Sequence, residues 1–138
     1  MRGHWDRHRF AAVSVGGAAG ATLRWAVLTT FNGGSFPWPV FGINVLGSLL
    51  LGVLLAEEWS HPSARLLLRD AGGIGFCGGL TTFSTFSLEV VNLARDGDAT
   101  TAAVYTVASM AAAIAGVVLG AAALRRTRAL TLPLEEQP

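Results

Sequence analysis

The chain has 138 residues, of which 51% are apolar and only 14% charged, with a net charge of +1. Its mean hydropathy is +0.49. A soluble domain carries about 25% charged residues, so this composition excludes a disordered tail, an ordinary water-soluble enzyme and a nucleic-acid footprint, and it points to a small multi-pass membrane protein. Seventeen Gly without a Gly-X-Y period exclude collagen and suit close helix packing instead.

Four spans are predicted in chain order. The first runs over 11–31 with Arg24 as its one charge, and the second over 40–56 with none. The third covers 71–94 with Glu89 as its one charge, and the fourth covers 100–124 with none. Each has the length of about 17–25 mostly apolar residues that crossing a bilayer requires. Trp38 and Trp59 bracket the second; at 1.5 Å per residue they stand roughly 31 Å apart, the spacing of two interfacial anchors. The basic start with Arg2, Arg7 and Arg9 resembles a signal peptide, but the apolar stretch is too long and three spans follow. A soluble four-helix core would need polar faces, and the fourth span has almost none. The links are short. Asn32, Gly33, Gly34, Ser35 and Pro37 form the first, 60–69 with Pro62 the second, and 95–99 with Gly97 the third, so a single transmembrane domain is expected.

Orientation follows from arginine, since the chain has no lysine. The side bearing both termini and the second link carries Arg2, Arg7, Arg9, Arg65, Arg69, Arg125, Arg126 and Arg128; the other carries Arg95. The positive-inside bias places both termini in the cytoplasm.

Small residues recur at four-residue spacing: Gly16 and Gly20, Ser48 and Gly52, Gly75 and Gly79, Gly116 and Gly120. Such pairs let backbones approach, either within one chain or between chains. Four helices enclose no wide pore, so the pairs together lean towards an oligomer.

The centre of span three reads Gly78-Gly79-Leu80-Thr81-Thr82-Phe83-Ser84-Thr85-Phe86-Ser87. Adjacent glycines followed by hydroxyl and β-branched residues make poor helix. One reading is a break at mid-membrane depth, with freed carbonyls able to hold a hard cation and lining a cavity. The other is a continuous helix whose hydroxyls bond back to the preceding turn. Phe83 and Phe86 share a helix face; they serve either as packing or as positive ring edges that attract an anion weakly. Asn44 is interhelical glue or a ligand donor. Tyr105 and Ser109 form a short hydroxyl stripe that ends at Ala113. Arg24 either snorkels to an interface or stands at a pore mouth. His4, His8 and His61 lie outside the spans and Cys77 has no His neighbour in sequence, so no catalytic site is assembled.

Gly16-Gly17-Ala18-Ala19-Gly20-Ala21 with Arg24, Asn44 with Gly47 and Gly52, and above all the stretch from Gly75 to Ser87 resemble the CrcB/Fluc fluoride channel family. The resemblance covers residues 11 to 124. It implies a passive fluoride-selective channel that exports cytoplasmic fluoride from bacteria across the plasma (inner) membrane. It also implies two four-helix chains packed antiparallel with two pores, and a structural sodium ion at the dimer centre. By motif position the sodium ligands would be the main-chain carbonyls of Gly78 and Thr81. Phe83 and Phe86 would line the pore, Asn44 would donate to fluoride or orient a ring, Ser84 and Thr85 would lie near the path, and Tyr105 and Ser109 would match the hydroxyl track of the fourth helix. Two features depart from the family pattern. The track stops at Ala113, and the eight-to-one arginine bias disfavours equal insertion in both orientations, so the dimer partner would be a second copy or an oppositely oriented homologous chain. The alternative class is a small proton-coupled four-helix exporter, which needs a deep carboxylate; Glu89 is the sole candidate, and span one carries Arg24 instead.

Overall fold

A computed structural model describes residues 7–31, 34–56, 59 and 61–131. Arg2, His4, Asn32, Gly33, Ser60 and the acidic tail ending in Pro138 lie outside these. Helix α1 spans Arg7–Thr30 and α2 spans Trp38–Leu55. The third span comprises α3 (Pro62–Ala64), a π-type run over Arg65–Cys77, α4 (Gly78–Leu80) and, after a gap, α5 (Phe83–Arg95). Helix α6 covers Ala99–Thr131. The described residues hold four helical stretches long and apolar enough to cross a membrane. The third starts at Pro62 rather than near Ala71, and the fourth helix runs on past Leu124.

Local chemistry sets the ends. Pro39 occupies the first turn of α2, where a missing N–H costs nothing. Helix α5 stops in a Schellman arrangement. Gly97 takes φ +88°, its N–H bonds the Ala94 carbonyl at 3.3 Å, and the Asp98 N–H bonds the Leu93 carbonyl at 3.0 Å. Asp98 then caps α6 by accepting from the Thr101 N–H at 3.0 Å. The π-type run is thirteen residues long, whereas such winding normally appears as a single-turn bulge.

Helix α1 packs on the π-type run and α4, and α2 packs on α6. These contacts are backbone to backbone. A Cβ added at Gly16 would collide with the Ala71 carbonyl, and at Gly20 with that of Phe76. At Gly79 it would strike the Gly17 carbonyl, at Gly52 that of Val117 and at Gly120 that of Leu49. The small-residue pairs are thus used inside the chain, which removes them as an argument for an oligomer. One buried cluster, Val40, Phe86 and Tyr105, sits between α2, α5 and α6, with Leu28, Phe36, Phe41, Val90 and Leu93 around it. Large apolar side chains such as Trp25, Val107 and Ile114 are about two-thirds exposed, as a lipid-facing surface requires.

Candidate functional site

The third span is interrupted at Thr81 and Thr82, both extended (φ −75°, ψ 153° and φ −146°, ψ 124°). Within the membrane each polar group exposed there needs a partner. Asn44 of α2 supplies two contacts. Its Oδ1 accepts from the Thr82 N–H at 2.8 Å, and its Nδ2 donates to the Thr82 carbonyl at 3.1 Å. Arg24 of α1 donates to the Thr81 carbonyl at 3.0 Å. The Thr82 hydroxyl caps α5 by accepting from the Thr85 N–H at 3.2 Å, and it also bonds the hydroxyls of Ser84 and Thr85. Thr81 turns its own hydroxyl back to the Cys77 carbonyl at 3.0 Å. The continuous-helix reading of the hydroxyl run is therefore overturned, although two of its hydroxyls do bond back, that of Thr81 and that of Ser87, which donates to the Phe83 carbonyl at 2.9 Å.

Beside the break lies a cleft of about 210 Å³, lined by Asn44, Ser48, Thr81, Thr82, Phe83, Phe86, Ser109, Met110 and Ala113. Phe86 is buried and Phe83 is 72% exposed, with ring centroids 5.7 Å apart. The Ser109 hydroxyl is buried without a hydrogen-bond partner among the described residues. Asn44 spends one N–H on Thr82 and retains the second. Among the described residues, no charged side chain lines the cleft. Helix α5 begins next to it, bringing the positive end of its dipole. The site can therefore offer an anion neutral donors and ring edges without a fixed cation that would trap it.

A family model described as "CrcB-like protein, Camphor Resistance (CrcB)" matches residues 11–121. The chain belongs to the CrcB family. CrcB relatives include a fluoride-specific ion channel FluC of Bordetella bronchiseptica, 44% identical over 116 residues, covering 84% of this chain and 91% of the relative. A FluC of Novosphingobium aromaticivorans is 43% identical over 123 residues, covering 83% and 94%. A "FluC 2" of Nocardia farcinica is 41% identical over 116 residues, covering 83% of each chain. This CrcB chain is thus a multi-pass membrane protein of four spans with a broken third helix.

Of the residues singled out from sequence, the cleft gathers Asn44, Thr81, Phe83, Phe86 and Ser109. Ser84 and Thr85 bond to the Thr82 hydroxyl outside its lining. Tyr105 stands behind Phe86, fully buried, with its ring centroid 5.2 Å away. Its hydroxyl donates to Glu89 at 2.7 Å, which gives that intramembrane carboxylate a partner. Arg24 lies outside the cleft lining and ties the break to α1, as a structural charge would. Gly78 also lies outside the lining, but the Thr82 N–H that a continuous helix would give its carbonyl goes to Asn44. That oxygen suits a hard cation. The Thr81 carbonyl suits one less, because Arg24 already occupies one lone pair.

Ser48 and Met110 were not singled out as cleft residues. Ser48 follows Asn44 by four on one helix face, a signal present in the sequence. A second omission is Asp70, which is 1% exposed and meets Arg9 through two bonds, at 2.7 and 3.1 Å.

Proposed function

We propose that this chain is a passive, fluoride-selective channel that lets cytoplasmic fluoride leave the cell and so protects against its toxicity. The observation that carries the reading is the cleft itself. Two phenylalanine rings, a spare amide N–H on Asn44 and a Ser109 hydroxyl without a hydrogen-bond partner among the described residues border one narrow space at the break. Fluoride is small and strongly hydrated, so a dry path must replace its lost water with donors. The names of the relatives support the same substrate.

We further propose that the channel sits in the bacterial plasma membrane with both termini cytoplasmic, on the arginine bias, and works as an antiparallel dimer. Its partner is a second copy or an oppositely oriented homologous chain. Phe83, exposed on the single chain, would then border the path from a buried position. A structural sodium ion at the dimer centre would draw on the Gly78 and Thr81 carbonyls of both chains, because two carbonyls from one chain are too few for such a cation. When bound it would hold the two breaks together.

Vesicles loaded with fluoride and containing the purified protein test the function. Fluoride efflux without any proton gradient supports the channel. Gradient-driven uptake of organic cations would support the exporter, and absence of flux would reject both. Tags on both termini, probed for accessibility in cells, test the orientation.

A further inference from the structure

The link into α2 ends in Phe36-Pro37-Trp38-Pro39. Pro37 has φ −76° and ψ 63°, and across it the Trp38 N–H donates to the Phe36 carbonyl at 2.8 Å. These angles and this bond define an inverse γ-turn, and the proline ring presets its φ. The turn folds the Phe36 ring back onto the bundle. It meets Tyr105 edge to face, with centroids 5.3 Å apart and planes at 85°. Trp38 and Phe41 support it at 4.5 and 5.8 Å.

Tyr105 is fully buried and its hydroxyl is fixed on Glu89. Its ring lies against Phe86, which borders the cleft. Phe86 has no polar anchor of its own, so only packing can hold its ring in place. We propose that Phe36 is a positioning residue: its ring clamps Tyr105 against Phe86 and so fixes the aromatic border of the anion path. A turn outside the spans then sets how well the path works. The inference rests on the channel reading above, and it reaches the cleft through two ring contacts.

Tyr105 is the chain's single tyrosine, so ring-labelled tyrosine gives one set of NMR signals from the full-length protein in lipid nanodiscs. The wild-type ring, clamped, is expected to flip slowly and give separate signals for its two edges. Phe36→Leu keeps apolar bulk but loses the ring edge. It should merge those signals and lower fluoride efflux about fivefold, the scale of one lost aromatic pair. Phe36→Tyr should restore efflux. Pro37→Ala keeps every ring and loosens only the turn; it should shift both readouts in the same direction, and it decides the matter if Phe36→Leu does not fold. Unchanged Tyr105 signals, or efflux within about twofold of wild type, overturn the positioning role. A wild-type protein that passes no fluoride overturns the channel reading instead, and the ring signals then still report whether the clamp exists.

Discussion

The side-chain amide of Asn44 stands in for a peptide group opposite Thr82, accepting from its N–H at 2.8 Å and donating to its carbonyl at 3.1 Å. This pairing lets an extended backbone persist where no water satisfies it. Asn44→Ala leaves both groups without a partner, at a cost of about 1–3 kcal/mol each. Asn44→Asp keeps the acceptor, loses the donor and puts a negative charge on the cleft. The alanine variant should lose stability in denaturant titration. The aspartate variant should also lose stability, because its second oxygen faces the Thr82 carbonyl, and it should pass no measurable fluoride.

Phe86→Ile and Phe83→Ile fill space without a positive ring edge. Each should lower fluoride efflux by more than about tenfold while the protein still folds. Phe86 is the more telling of the two, because it is buried and packs on Tyr105. Wild-type efflux in both variants would reject ring edges as the anion contact.

Gly20 and Gly42 separate close approach from open space. A Cβ at Gly20 meets the Phe76 carbonyl and the Leu80 nitrogen, whereas at Gly42 it meets nothing within 4 Å. Gly20→Ala should cost about 1–3 kcal/mol by forcing α1 off its neighbour. Gly42→Ala should gain about 0.5–1 kcal/mol from helix propensity. Unfolding midpoints of the two variants check the contrast.

Asp98 gives a pH dependence with a definite sign. The Thr101 backbone N–H, with its side chain second, holds the Asp98 carboxyl below the usual carboxylate range. A depressed folded value means that the cap's contribution is complete above the unfolded value of about 3.9. It is lost as pH falls through the lower folded value. Asp98→Asn still caps but does not titrate, so it should lose less stability than the wild-type protein as pH falls through this range.

The break in span three is legible because Gly78, Gly79 and the hydroxyl run from Thr81 each disfavour uninterrupted helix. What caps it is not. The acceptors for Arg24 and Asn44 are backbone atoms, and backbone carbonyls are the same at every position. Gly16, Gly20, Gly75 and Gly79 announce close packing, but an intrachain seam and a dimer seam demand the same small residues, so their partner cannot be read from spacing. Asp70 looks like the end of a polar link. Only the fold brings Arg9 within reach and lets the carboxylate be buried. The cleft follows the same pattern: Asn44 and Ser109 stand out as polar residues in apolar spans, whereas Met110 and Ala113 line it through position alone.

The gap at Thr81 and Thr82 makes α5 start halfway through the lipid, alongside the cleft. Its first peptide groups present roughly half an elementary charge of positive pole there. That pole has no ionisable atom. Acidifying the medium cannot switch it off, and truncating any one side chain leaves it in place. A blocker of this passage would therefore have to plug the opening bodily, since chemistry that discharges a lysine or a histidine finds nothing to act upon.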